Sequence, residues 1–232
     1  MHLPGAASLI FLFCLLILLP FAAIRSAGRI HASDQPARPA PTRMRIWTNT
    51  MAIQALLLLL AWRVGAGFGY PIFAMPTLTP RALLATVAAL AALFALRAVA
   101  QRTRGEDERR RMAVYAMAPR TPAEWVAWCA TVLVASVAEE AAYRGVAMAI
   151  LWYAFGTPWP AVALCATAFA LAHWVQGWKS GAVIFAMALV AHALVALTGT
   201  LVLMMIVHAV YDFVAGARIA KQARAYDLEA AG

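Results

Sequence analysis

"SVAEEAAYRG", residues 136–145, sets two adjacent glutamates and an arginine inside a run otherwise apolar enough to span a bilayer. Charge at bilayer depth is expensive, so Glu139, Glu140 and Arg144 each need a partner or a water-filled cavity. On an α-helix of 100° per residue, Ser136, Glu139, Glu140, Tyr143 and Arg144 fall within an arc of about 140°. Such an arc is a polar stripe turned toward the interior of a helical bundle. Glu140 and Arg144 stand at i,i+4 spacing and are suited to an ion pair within their own helix. Glu139 must then find its partner elsewhere.

The rest of the chain fits a bundle of this kind. It has 232 residues, 64% hydrophobic and 12% charged, whereas soluble domains run at about half and about a quarter. The composition implies an all-α, polytopic transmembrane helical bundle, and no polar stretch is long enough for a separate soluble domain. The net charge of +9 resides in short loops between apolar runs, the pattern of the positive-inside bias, and gives no reason to expect a nucleic-acid partner. Cys14, Cys129 and Cys165 lie in apolar runs without CxxC spacing and read as buried small hydrophobes.

Hydropathy divides the chain into about seven spans, or eight if the longest is split. The run at 7–24 is followed, not preceded, by arginines, which argues for a retained helix over a signal peptide. Two further spans cover roughly 47–67 and 81–100, with Arg63, Arg81 and Arg97 near their ends, where long side chains snorkel to headgroups. The segment from Pro122 to about Phe155 would extend roughly 50 Å, too long for one straight crossing of a ~30 Å core. It should be tilted, broken near Gly145 or followed by an interfacial helix. Three more spans follow, at about 157–174, 181–198 and 200–216. Loops 25–45 and 101–120 and the tail from Arg218 are basic, which places them and the C-terminus in the cytoplasm and the N-terminus outside. Prolines 36, 39 and 41 make the first of these loops irregular.

The spans also hold His173, His192, His208 and Asp212. Phe169 and His173 are at i,i+4 spacing, as are His208 and Asp212, so Asp212 is placed to orient the His208 ring. His192 has no carboxylate at helical spacing and reads as a packing residue.

"EEAAYRG", "FALAH" and "HAVYD" resemble the motifs EExxxR, FxxxH and HxxxN/D, in that order and on separate helices. These are the motifs of the CPBP (CAAX protease and bacteriocin-processing, or Abi) family of intramembrane proteases, to which the Ras-converting CAAX endopeptidase belongs. The resemblance covers about residues 120–216 and implies a helical core around a conical cavity, with the motif residues at its bottom. It implies that Glu139 and His173 activate a water for attack on a peptide carbonyl, and that His208 and Asp212 face the developing oxyanion. Glu140, Arg144, Tyr143 and Phe169 support them. The family's eukaryotic member has asparagine where Asp212 stands. An aspartate donates no hydrogen bond unless protonated, so Asp212 is suited instead to fixing the His208 tautomer.

Three divisions follow: 1–118, three spans and basic loops; 119–217, the catalytic core; 218–232, a cytoplasmic tail. The expected protein is a multi-pass peptidase of a bacterial inner membrane, acting on a peptide or protein substrate in the membrane, either a membrane-associated segment or a C-terminal tail. A metal-free glutamate mechanism without cofactor is expected, because HExxH is absent and Arg144 lies one turn from the glutamates. The alternative is zinc on Glu139, His173 and His208 with an open position. Two other function classes remain: a proton- or ion-coupled transporter, which also buries Glu, His and Asp, and a catalytically silent scaffold or immunity protein.

Overall fold

Three helices of this protein begin at a Thr-Pro pair, which sets a capping hydroxyl before a residue already fixed at helical φ. Thr79 and Thr121 each accept from a backbone N–H of the first turn. Glu124 returns the bond to the Thr121 N–H and completes a capping box. A computed structural model describes residues 5–31, 42–110 and 112–231, and over these the chain is helical without strands. We number the helices α1 (Ala6–His31, with a π-wound stretch at Cys14–Leu18), α2 (Arg43–Phe68), α3 (Pro80–Arg102), α4 (Glu106–Arg110) and α5 (Ala113–Met117). They continue as α6 (Pro122–Phe155), α7 (Pro158–Ala172), α8 (Trp178–Thr198) and α9 (Val202–Ala231).

Among the described residues, α1, α2, α3, α6, α8 and α9 are long and apolar enough to cross a membrane. The run expected as the fifth span forms the shorter α7, of 15 residues, or about 22 Å against a ~30 Å hydrocarbon core. The chain then turns through a 3₁₀ segment, Trp174–Gln176, and through Gly177 at φ 87° before starting α8. The proline-bearing loop expected before Arg43 lies outside the described residues for positions 32–41. The boundary expected at 217/218 falls inside α9, which continues as one helix into the tail.

At one end of the bundle Thr200 bonds to the carbonyl of Ala74, so the α2–α3 and α8–α9 connections meet there. At the other end, salt bridges clasp the arginine-rich segment to the tail and to α8. Arg120 pairs with Asp227 at 2.7 Å, Arg110 with Glu229, and Lys179 with Glu108 at 2.7 Å.

The core centres on α6. Ala141, Ala142 and Ala147 on α6, with Ala161 and Ala166 on α7, are fully buried. Their lack of bulk lets the helices approach closely, as small residues do between membrane helices. Of the alternatives for this long segment, a break at Gly145 does not occur: α6 continues through a π-wound stretch, Glu140–Ala147, into Met148–Phe155. Gly145 serves close approach: a Cβ there would lie 2.8 Å from Leu201 Cδ1 and 3.2 Å from Tyr70 Cε1.

Candidate active site

The π-wound stretch begins at Glu140, in the middle of the motif that opened the sequence analysis. Closing i→i+5 bonds puts more residues into each turn, so neighbouring side chains diverge by less than 100°. Both glutamates thereby reach one histidine. Glu140 Oε1 accepts from His208 Nδ1 at 2.7 Å, and Glu139 Oε2 lies 3.9 Å from His208 Nε2. The expected ion pair of Glu140 with Arg144 is present at 3.4 Å, also on Oε1. Glu140 is 0% exposed, Arg144 3% and Glu139 8%, so this charge is held by protein contacts and not by bulk water.

The expected contact of Asp212 with His208 is present, its Oδ2 lying 3.5 Å from Nε2. Glu140 takes the Nδ1–H at the shorter distance and orients the ring. Nε2 is thereby turned toward Glu139 and Asp212.

The partner of Glu139 comes from a helix without motifs. Gln54 of α2 donates from Nε2 to Glu139 Oε1 at 2.6 Å, fixing one carboxylate oxygen and leaving Oε2 on the His208 side. Sequence reasoning missed Gln54. Its signal was available: it is the single amide side chain in the apolar run "MAIQALLLLLAW".

His173 follows the last residue of α7, so the shortness of that helix brings the imidazole into the bundle. Its Nδ1 is 2.8 Å from the carbonyl oxygen of Phe169. A carbonyl only accepts, so Nδ1 carries the proton and Nε2 keeps its lone pair. Phe169 joins this group to the acidic one: the Arg144 guanidinium lies 4.2 Å from its ring centroid, and Tyr143 packs edge-on at 5.1 Å. No contact of hydrogen-bond or ion-pair length joins His173 directly to Glu139. The two meet across a cavity of about 710 Å³ whose walls also include His208, Asp212 and Arg144. Glu140 stands behind that wall. His192 is buried on α8 with Nε2 unpartnered.

Among the described residues no three His, Cys, Asp or Glu side chains converge closely enough to hold a metal ion. His208 turns Nδ1 to Glu140 and Nε2 to carboxylates, and the Arg144 charge stands beside them.

Residues 121–214, from the cap of α6 to the middle of α9, match the family described as Type II CAAX prenyl endopeptidase Rce1-like. This is a peptidase family, consistent with the CPBP resemblance, and helices α1–α5 lie outside the match. No curated protein and no solved structure matches the chain. The chain is therefore a multi-pass membrane protein whose residues 121–214 resemble Rce1-like CAAX endopeptidases.

Proposed function

We propose that the Rce1-like domain at residues 121–214 is a metal-free intramembrane endopeptidase in which Glu139 is the general base. The observation that carries this reading is the shared cavity: a carboxylate from α6 and imidazoles from α7 and α9 reach its wall together. Gln54 holds Glu139 Oε1, so Oε2 is the oxygen available to a water. His173, with Nδ1–H committed to Phe169, offers the Nε2 lone pair to the same water and orients it.

The water loses a proton to Glu139 as its oxygen bonds to the peptide carbonyl carbon. The developing oxyanion is met by His208, whose Nε2–H donates while Nδ1–H stays on Glu140. A ring carrying both protons is a cation, and Glu140 and Asp212 supply its counter-charge. When the C–N bond breaks, Glu139 returns its proton to the leaving nitrogen, giving a carboxylic acid and an amine. Arg144 keeps Glu140 charged and in place.

The basic segments at one end of the bundle support placing that end in the cytoplasm of a bacterial inner membrane, with the C-terminus inside and the N-terminus outside. The substrate in this reading is a peptide or protein segment that enters the cavity from the bilayer. The reading is tested with purified protein in proteoliposomes and a panel of apolar peptides, products being identified by mass spectrometry. Cleavage by wild type and none by folded Glu139→Gln is the expected result. Proton flux in the same liposomes without cleavage would instead assign a transporter.

A further inference from the structure

The wall of the cavity follows α9 from Met204 to Ile219, about 22 Å of helix at 1.5 Å per residue. It therefore reaches from the depth of His208 to the salt-bridged end of the bundle. At that end Val114 and Met117 of α5, with Ala118 and Pro119 after it, form part of the wall. Helix α5 packs on α9 and on the Trp174–Gln176 turn, which directly follows His173. It has five residues, and extended backbone at Met112 and Ala118 bounds it on both sides. One turn of helix does not hold itself in place, so α5 depends on what it touches.

What it touches is mainly the tail of the chain. The Tyr115 hydroxyl donates to Gln222 Oε1 at 2.9 Å, and the Tyr115 ring meets Tyr226 edge-on at 5.6 Å. Tyr115 and Ala118 are buried together with Ala220 and Ala223. Arg120 donates to the carbonyls of Tyr115 and Ala118 and pairs with Asp227. On the other flank Arg110 pairs with Glu229 and lies 4.3 Å from the Tyr226 ring centroid. Arg43 of α2 adds a bond to the Ala116 carbonyl. Asp227 and Glu229 are the only carboxylates of the sequence after Asp212, and both are spent on these two arginines. Both are also exposed. Exposed ion pairs are weak singly and screened by salt, which suits a contact that opens. We propose that α5 is a lid on the mouth of the cavity and the tail of α9 its latch, so that release of the Asp227 and Glu229 pairs admits solutes to the site. The lid rests on the endopeptidase reading only for the identity of what enters.

The test uses the full chain in detergent, with Cys14 and Cys129 replaced by alanine and Ala135→Cys introduced. Ala135 lies on the cavity wall one turn before Glu139. Cys165 is kept as an internal control, because it is fully buried and off that wall. A small, uncharged, water-soluble maleimide is added, and modification at each position is followed by mass spectrometry. With the latch intact, position 135 should react slowly. Asp227→Asn combined with Glu229→Gln should speed it by about fivefold, the order expected of two exposed ion pairs, while Cys165 stays unmodified. Asp227→Glu should keep the slow rate. Salt at about 1 M should speed the reaction when the latch is intact and change it little in the double variant. Equal rates with and without the latch overturn the proposal, as does a rate that ignores salt when the latch is intact. A rise at Cys165 in step with position 135 also overturns it, because the whole bundle has then loosened. Peptide cleavage is measured on the same latch variants with Ala135 restored. Cleavage beside unchanged labelling removes the lid and leaves the peptidase reading. Latch-dependent labelling without cleavage leaves the lid and removes the peptidase reading instead.

Discussion

Helices α1–α3 and helix α6 occupy the same bundle under opposite conditions. In the most apolar windows of α1, α2 and α3, 22%, 22% and 17% of residues are buried, against 50% for α6. The first three are outer staves facing lipid, and α6 is the pillar they surround. Their sequences differ accordingly: α6 concentrates glutamates and arginine within a few residues, while the outer helices carry no carboxylate. Yet each class contributes to the cavity. From the outer group come Gln54, which holds the glutamate, and Arg97, which lines the cavity. A staff of apolar helices can thus tune a site whose reactive groups it does not carry, by one polar side chain per helix.

That division of labour is open to direct attack, beginning with the pillar. Glu139→Gln keeps size and the contact to Gln54 but removes the base, so the rate should fall by at least ~10²-fold with an unchanged thermal transition. Rate and detergent stability, measured side by side, decide it; normal cleavage would end the glutamate mechanism. Glu140→Gln should act differently. It leaves Arg144 buried without its counter-charge and weakens the hold on His208, with a stability loss on the order of 3 kcal/mol. A Glu140→Gln protein that is fully stable but inactive, beside an active Glu139→Gln protein, would exchange the two roles.

The outer helices are tested next. Gln54→Leu removes the donor that fixes Glu139 Oε1 and should lower kcat by about tenfold, the order of one hydrogen bond to a charged group. Stability should hold, because Gln54 Oε1 is itself buried without a partner and leucine removes that unpaired acceptor. If melting temperature falls while kcat per folded molecule is unchanged, α2 is packing only and the comparison loses its point.

Much of this was legible in the sequence, and the reason is physical. Ionisable groups are so disfavoured in apolar runs that Glu139, Glu140, Arg144, His173, His208 and Asp212 stood out without any structure. The bundle itself followed from composition and loop charge. Three things were hidden. The π-winding at Glu140 is a local change in hydrogen bonding, and helical-wheel reasoning assumes it away. The early end of α7 depends on where α8 can pack, so a run that reads as a full span yields a shorter helix. Gln54 and Arg97 are isolated residues whose meaning depends on which face of α2 or α3 meets α6 and α9, a tertiary fact with no local signature.

The smallest effect expected is no effect at all, and it bears most directly on the comparison. A zinc site on Glu139, His173 and His208 would draw every ligand from α6, α7 and α9, and the outer helices would then have no part in the chemistry. The geometry favours the other arrangement. His208 gives Nδ1 to Glu140 at 2.7 Å, His173 has no contact with Glu139, and Arg144 places a positive charge where a cation would approach. His208 would also have to shed its Nε2 proton and turn that nitrogen from the carboxylates onto a shared centre with His173. Cleavage should therefore be unchanged, within about twofold, after prolonged dialysis against a strong chelator, with metal content followed by elemental analysis. Activity lost on chelation and restored by stoichiometric zinc would move the chemistry wholly onto the motif helices and reduce Gln54 to a packing contact.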